Sequence, residues 1–427
     1  MTSNYCGILV NVEQRFVRTP DGTVWTDGAF PYSFWRRYLE VFDDVRVVAR
    51  VRNVDTASSS AQPIVGPGVE VVALPHYVGA LPALTALPMV RRTVKAALMT
   101  PSAVILRIPS LIACTLASYL RRAHRPYSVE VVADAYDVFA PGAIDHVLRP
   151  VVRTWMTHQQ REQCRFAAAA AYVTKSALQQ RYPCGGFAVG VSDVQLGEGT
   201  FREPFSTHYS SVQLDDAAFA SSPQKAPAAA LQRIVTVGSL EHPYKGTDLL
   251  IEALATVLKR RSNVELVVIG DGRHRPALER QAEELGVSQS VQFRGHISSV
   301  LDVRRELNAA SLFVLPSRTE GLPRAMVEAM ARGLACIGSA VGGIPELLDP
   351  ADLVPAGNVP ALAEKILQVL SSPARLKQMG DRNLRVAAEY RDEVLRERRL
   401  GFYRHARAMT TTVLCDDPGS STLSFVQ

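Results

Sequence analysis

The stretch "RIVTVGS", residues 233–239, decides the fold class. It is a short β-branched run that ends in a glycine turn, and an amphipathic segment of helical length follows at 246–260. The same alternation continues downstream, and it predicts strands at 264–269, 290–293, 311–315 and 335–338 and helices at 275–285, 300–308, 323–332 and 359–370. This alternation is typical of a parallel sheet that is covered by helices on both faces.

The first half of the chain has the same rhythm. It predicts strands at 5–10, 45–51, 69–73, 103–108, 128–133 and 171–174, and helices at 31–41, 88–99, 110–122, 145–167 and 175–182. Because 427 residues exceed the usual size of one domain, we expect two domains. The predicted fold class is therefore α/β, with two doubly wound Rossmann-like domains.

The rhythm lapses between the two halves, in a region rich in Gly, Ser, Pro and Ala. We assign residues 1–190 to an N-terminal domain, 191–230 to an interdomain connection and 231–390 to a C-terminal domain. A last amphipathic stretch follows the final predicted strand and is too long for one compact helix. We expect 391–408 to form a helix that crosses back to the first domain, and 409–427 to be a mobile tail.

Composition narrows the class of protein. The formal charge of +6 is spread evenly over the two halves, so charge gives no indication of nucleic-acid binding. The six cysteines are far apart and no secretory leader is evident, which predicts a cytoplasmic protein without structural zinc. The apolar stretch 104–120 is interrupted by Arg107 and Pro109, which argues against a membrane span. Residues 89–99 mix cations with apolar residues, as in a core-facing surface helix or a peripheral lipid contact.

Two glutamates eight positions apart stand in "SRTEGLPRAMVEAMARG", residues 317–333. Pro323 suits the first turn of a helix and Gly333 its end, so Glu320 precedes the helix and Glu328 lies within it. Helical geometry would separate these carboxylates by roughly 12 Å, whereas paired glycosidase carboxylates lie roughly 5 to 9 Å apart. The spacing favours an extended ligand held at both ends. A nucleotide sugar is such a ligand, and its diphosphate suits the N–H groups of a helix N-terminus.

The segment "EGLPRAMVE" resembles the E-x7-E element of family 4 glycosyltransferases. These are retaining enzymes of the type B architecture, in which two Rossmann-like domains face each other across a cleft. The resemblance covers residues 231–350 and continues, in the same order, through the segments "VTVGSLEHPYKGTDLLIEAL", "LVVIGDGRHRPALE", "VQFRGHISS", "ASLFVLPS" and "CIGSAVGGIPEL".

The resemblance implies a role for each matching residue. Glu320 and Lys245 would be catalytic: Glu320 would bind the donor sugar hydroxyls, and Lys245 would stabilise charge on the leaving diphosphate. Glu328 would bind the ribose. The other implied donor-binding residues are Gly238, Ser239, Gly270, Asp271, Gly272, Arg294, His296, Ile297, Gly321, Leu322 and Pro323. The family often has arginine where this chain has Ser239, so neutralisation of the phosphates would rest more on Lys245 and on Arg324.

The first half matches the family less well. Gly28 stands at the position of the family's loop glycine, near the donor phosphates and the acceptor. Many relatives carry a histidine near the reacting centre, but this chain has Asp134, Tyr136 and Asp137 there, and His146 lies too far along the chain. These aspartates are either acceptor-binding residues or ordinary caps. With Asp21, Asp27 and Trp25 they would line an acidic mouth suited to an amino-sugar acceptor.

The resemblance implies a metal-independent, retaining hexosyltransferase that needs no cofactor. We expect a UDP-sugar donor such as UDP-GlcNAc and a hydroxyl acceptor in the assembly of a surface polysaccharide or a lipid-linked glycan. The alternative acceptor is an aminoglycoside-like natural product of antibiotic biosynthesis. Two other classes share the features of the donor site: a nucleotide-sugar epimerase would turn over donor alone, and a non-catalytic binding subunit would transfer nothing.

Overall fold

The computed structural model describes residues 6–59, 61–139, 148–185, 205–209, 214–222, 231–297 and 299–416. Its strands are β1 (Ile8–Arg18), β2 (Val24–Thr26), β3 (Val45–Asn53), β4 (Gln62–Pro63), β5 (Val69–Leu74), β6 (Ala103–Ile108), β7 (Ser128–Val131), β8 (Ala169–Tyr172), β9 (Phe205–His208), β10 (Gln232–Val237), β11 (Val264–Ile269), β12 (Val291–Gly295), β13 (Leu312–Leu315), β14 (Ala335–Ser339) and β15 (Leu353–Val354). Its α-helices are α1 (Tyr32–Leu39), α2 (Ala80–Met99), α3 (Leu111–Arg122), α4 (Ala135–Val138), α5 (Arg149–Arg165), α6 (Ala177–Arg181), α7 (Thr247–Leu258), α8 (Arg275–Glu284), α9 (Val300–Ala309), α10 (Arg324–Ala331), α11 (Ile344–Leu347), α12 (Val359–Leu370), α13 (Pro373–Ala388) and α14 (Asp392–Asp416).

The N-terminal sheet is doubly wound. Its parallel strands follow the order β5-β3-β1-β6-β7-β8-β9, and β2 and β4 add a short antiparallel ribbon beside the end of β1. Strands β6 and β7 and the first five residues of β3 are almost entirely buried, as expected of parallel strands covered on both faces. Helices α2, α3 and α5 pack side by side on one face.

The C-terminal sheet is also parallel and doubly wound, with the order β12-β11-β10-β13-β14-β15. The chain order reverses between β10 and β13, the switch point beside which ligands bind in folds of this kind. The predicted fold class of two Rossmann-like α/β domains with a C-terminal helix returning to the first domain is confirmed.

The structure differs from the predicted boundaries in two places and coincides with them in a third. Strand β9 lies within 191–230, the predicted connection. It pairs with β8 and so forms the edge of the N-terminal sheet. The long amphipathic stretch forms two helices, α13 and α14, and the break between them at 389–391 coincides with the predicted boundary at 390–391. Helix α14 continues to Asp416, so the predicted tail is helical over 409–416. Residues 417–427, His146, and 191–204, 210–213 and 223–230 of the predicted connection lie outside the described residues.

Helix α14 is anchored to the N-terminal domain by a buried polar cluster around Glu130. Its carboxylate accepts hydrogen bonds from Tyr38 at 3.0 Å, Tyr209 at 2.7 Å and Tyr403 of α14 at 3.5 Å, and it pairs with Arg107. The ring of Tyr403 stacks on that of Tyr38, with 4.6 Å between centroids. The buried charges are thus paired and hydrogen-bonded, as burial requires.

Candidate functional site

The two predicted catalytic side chains meet in the C-terminal domain. Lys245 Nζ donates to Glu320 Oε1 at 2.6 Å, although 75 residues separate them in sequence. Ser317 Oγ donates to the same oxygen at 2.7 Å. Both side chains are largely buried, with 19% of Lys245 and 7% of Glu320 exposed. Ser317 was not among the predicted site residues. Its place three residues before Glu320 could have indicated that its hydroxyl orients the Glu320 carboxylate.

The loop that carries Lys245 is fixed by its contacts with the Glu320 loop. Gly246 has φ +71°, and a Cβ there would lie 2.1 Å from the Pro316 carbonyl oxygen, so only glycine allows this approach. The Arg318 N–H donates to Tyr244 O at 2.7 Å, and its guanidinium binds Pro243 O at 2.8 Å and the Asp248 carboxylate. These contacts therefore hold the Lys245 loop and the Glu320 loop in fixed positions relative to each other.

Glu328 lies on α10, which begins after Pro323 and ends at Ala331, two residues before Gly333, whose φ is +68°. Burial raises the pKa of the Glu328 carboxyl, and the charges of Arg324 and Arg304 oppose that rise. Among the described residues its carboxylate oxygens have no hydrogen-bond donor. This half-buried carboxylate is thus free to accept hydrogen bonds from ligand hydroxyls.

The glycines predicted beside the donor bring loops together. A Cβ at Gly270 would lie 1.9 Å from Gly238 O, and one at Gly272 would lie 2.2 Å from Glu241 N. A Cβ at Gly238 would lie 3.2 Å from Cγ of Lys245. The loops after β10 and β11 therefore pack directly on each other and leave room for the lysine.

The other predicted donor residues lie at the carboxyl ends of β10, β11 and β12 or in the loop after β13. Asp271 accepts a hydrogen bond from Gly272 N at 2.8 Å, and Ser239 Oγ accepts one from Glu241 N at 3.2 Å. Arg294 pairs with Glu306 at 3.2 Å, while His296 is exposed and Ile297 is half-buried. In the Glu320 loop, Gly321 O accepts from Gly343 N at 2.7 Å and Leu322 is buried.

The residues of the N-terminal domain that were predicted to bind the acceptor make contacts with other protein groups. Asp134 is buried: it caps α4 through Tyr136 N at 2.9 Å, accepts from Tyr182 at 2.5 Å and pairs with Arg181. Burial and the nearby Asp134 raise the pKa of Asp137, which lies 3.6 Å from Arg181. The Tyr136 ring packs against Arg153, whose guanidinium carbon is 3.4 Å from its centroid. Asp134 thus caps α4 and is held by Tyr182 and Arg181.

The aspartates predicted to line an acidic mouth differ in their surroundings. Asp21 accepts hydrogen bonds from Thr19 and Thr23 in the β1–β2 turn, and these lower its pKa. Of the four aspartates, Asp27 alone borders a cavity of about 480 Å³, together with Trp25 and the cations Arg15 and Arg50. The indole N–H of Trp25 donates to Thr19 Oγ1 at 3.0 Å, which fixes the ring. Gly28 lies beside this cavity, and open space surrounds the position of its absent Cβ.

Two other features bear on ligands and surroundings. Within the described ranges, no group of three or more His, Cys, Asp or Glu side chains is arranged to hold a metal ion. None of the described helices has the length and apolar character that a membrane crossing needs.

The whole fold is that of known glycosyl-transferring enzymes of the GT-B class. HepE of Anabaena, solved with UDP and glucose, superposes with a TM-score of 0.61 and 18% identity, over 92% of this chain and 98% of HepE. Sucrose-phosphate synthase of Thermosynechococcus elongatus gives 0.60 and 17%, over 98% of this chain and 100% of that one. At these identities the likeness shows the fold.

Sequence comparisons define the class further. Residues 232–372 match the family model described as "Glycosyl transferases group 1". Protein CapJ of Staphylococcus aureus is 27% identical over 74% of this chain and 74% of its own length. A GDP-mannose-dependent phosphatidylinositol monomannoside mannosyltransferase of Corynebacterium glutamicum is 34% identical over 39% of this chain, a match to 45% of that enzyme. Together with the fold, these matches indicate that the chain is a glycosyltransferase of the GT-B superfamily.

Proposed function

We propose that the protein is a retaining hexosyltransferase that moves a sugar, GlcNAc for example, from a UDP-sugar to a hydroxyl of a glycan acceptor. The observation that carries the proposal is the contact of Lys245 with Glu320 at the N-terminus of α10, with Glu328 further along the same helix. Glu320 would hold the sugar hydroxyls and Glu328 the ribose. The diphosphate would lie between them, at the helix N–H groups.

The Lys245–Glu320 pair can stabilise the negative charge that develops on a leaving diphosphate. An ammonium has three donors, so Lys245 can remain bonded to Glu320 while it donates to a phosphate oxygen. In a front-face displacement, the bond from the anomeric carbon to the phosphate oxygen breaks and a bond to the acceptor oxygen forms on the same face. The acceptor proton passes to the departing phosphate. Lys245 and the helix N-terminus stabilise the negative charge that grows there.

The cavity beside Gly28 supports a carbohydrate acceptor. Its Trp25 ring offers an apolar face for a pyranose, while Arg15 and Asp27 offer planar hydrogen-bonding groups for hydroxyls. Cations and carboxylates are mixed there. The aminoglycoside alternative depended on an acidic lining, whereas this cavity combines Glu13 and Asp27 with Arg15 and Arg50. A polysaccharide or lipid-linked glycan is therefore the acceptor that we propose.

Exposed apolar side chains along one edge of the N-terminal domain support a lipid-linked acceptor. Helices α2, α3 and α5 pack side by side, and apolar residues are exposed in their N-terminal halves and at the N-cap of α5: Leu84, Met89, Leu111, Leu148, Val151 and Trp155. Arg91, Arg92 and Lys95 of α2 are exposed too. Cations beside apolar side chains suit the surface of an anionic membrane, so we infer a peripheral contact on the cytoplasmic side.

The test is transfer with purified protein, acceptor extracts, and UDP-GlcNAc, UDP-glucose or GDP-mannose, the last included because of the mannosyltransferase relatives. We expect nucleotide release that depends on acceptor, and a product whose anomeric configuration, read by NMR, matches that of the donor. Because Lys245 and α10 supply positive charge, we expect activity to persist in EDTA. An inverted anomer, or donor turnover that is the same without acceptor, would refute the proposal.

A further inference from the structure

Glu346 of the C-terminal domain binds a segment of the N-terminal domain. Its carboxylate accepts hydrogen bonds from Lys175 N at 2.6 Å, Ser176 N at 3.0 Å, Ser176 Oγ at 3.1 Å and Ala177 N at 2.8 Å. These donors lie where α6 begins, so one side chain caps the first turn of a helix in the other domain. Sequence reasoning gave no reason to single out this glutamate, because its partners lie some 170 residues earlier in the chain.

The turn that precedes Glu346 packs on the Glu320 loop. Gly343 N donates to Gly321 O at 2.7 Å. Gly342 has φ +52°, and a Cβ there would lie 1.9 Å from Glu320 O, so no larger residue fits this approach. A continuous set of contacts therefore runs from α6 through Glu346 and the glycine turn to the backbone of Glu320.

A second contact holds the same N-terminal segment without touching the Glu320 loop. Lys175 Nζ pairs with Glu389 and lies 5.6 Å from the centroid of the Tyr390 ring, at the break between α13 and α14. Glu389 thus supports the same docking of the two domains, but it follows α13 rather than the glycine turn. This pair provides a matched comparison for Glu346.

We propose that Glu346 is a positioning residue, which couples the seating of the N-terminal domain to the placement of Glu320. The inference rests on the proposed function only for its kinetic consequence. Misplacement of reacting groups by about 1 Å can cost as much as a hundredfold in rate, and poor closure admits water to the donor. Loss of the cap should therefore lower transfer and raise the share of donor that is hydrolysed, while the isolated donor site keeps its affinity for UDP.

The test compares Glu346→Gln with Glu389→Gln in the full chain. A glutamine has one acceptor oxygen and would turn an NH₂ group toward the backbone donors. For Glu346→Gln we expect kcat to fall about tenfold or more, a higher ratio of hydrolysis to transfer, and a UDP Kd by calorimetry close to that of the wild type. For Glu389→Gln we expect kcat within about twofold, because this exposed pair contributes little.

Hydrogen exchange supplies a readout that does not depend on turnover. In Glu346→Gln the amides of residues 175–177 should exchange faster, and so should those at 320–322 and Gly343. Faster exchange at 175–177 alone, or an equal loss of kcat in both variants, would overturn the coupling and leave an ordinary domain contact. If exchange changes as expected but the wild type turns over no nucleotide sugar, the proposed function fails while the coupling stands.

Discussion

At the scale of single residues, two carboxylates on the same loop-and-helix unit differ in their surroundings. Glu320 is held by a lysine and a serine, whereas Glu328 is half-buried and has no hydrogen-bond donor among the described residues. The Glu320 carboxylate is therefore oriented before a ligand binds. The Glu328 carboxylate can accept its hydrogen bonds from the ligand. Each difference gives a test of its own.

Replacing Ser317 by alanine removes one of the hydrogen bonds that orient Glu320. A hydrogen bond to a charged group contributes about 1.5 to 3 kcal/mol, so we expect kcat/KM for the donor to fall by at least about tenfold. The measurement is steady-state nucleotide release. Ser371→Ala is the control, because this hydroxyl bonds only the exposed end of α12. Equal activity of the two variants would contradict the role of Ser317.

The raised pKa of the Glu328 carboxyl should make the donor KM depend on pH. Burial raises its carboxyl pKa, so on acidification it becomes neutral at a higher pH than an exposed glutamate would. Only the ionised form is a strong acceptor for ribose hydroxyls, so the donor KM should rise as pH falls through this raised pKa. Glu328→Gln should show a KM about tenfold higher that no longer changes over this range. A variant that keeps the wild-type pH profile of KM would exclude Glu328 as the titrating group.

At the scale of elements, the buried Arg107–Glu130 pair holds α14 on the first sheet. Glu130→Ala would leave the Arg107 charge buried and unpaired, which typically costs about 3 to 5 kcal/mol. Glu40→Ala removes an exposed pair with Arg396 of the same helix, and exposed pairs contribute about 1 kcal/mol or less. Urea unfolding followed by circular dichroism should separate the two variants clearly. Similar midpoints would show that the buried cluster is not what secures α14.

The elements that the sequence predicted well are those with strong periodicity. Strand β11 and helix α12 have their predicted bounds, because a β-branched run and an amphipathic segment each coincide with one buried element. The sequence did not predict β9, whose four residues "FSTH" have no apolar alternation and are ordered by pairing with β8. Edge strands of this kind depend on tertiary contacts that no local pattern records.

The site was predicted unevenly for a similar reason. Glu320 and Lys245 stand in recognisable motifs, so their meeting was foreseeable. The roles of Arg318, Ser317 and Glu346 depend on which loops lie against each other, and a single sequence does not contain that information. A strand-end aspartate such as Asp134 can serve as a cap or as a ligand, and its bonds to Tyr182 and Arg181 depend on tertiary contacts that the sequence does not record.

At the scale of the whole molecule, the net charge of +6 should attract an anionic donor. Dissolved salt screens this attraction, so kcat/KM for the nucleotide sugar should fall several-fold between about 0.05 and 0.5 M NaCl. The KM of an uncharged glycan acceptor serves as the internal control and should change little. A donor kcat/KM that is independent of salt would mean that only local contacts guide the nucleotide.

The return of α14 to the first sheet has a consequence for biosynthesis. On the ribosome, the aromatic face around Tyr38 and Tyr209 emerges well before Tyr403, the residue that covers it, because the entire second domain is synthesised in between. This aromatic, hydroxyl-bearing surface of the nascent first domain therefore stays exposed until translation is almost complete. Chaperones that bind exposed aromatic segments would find their target during that interval.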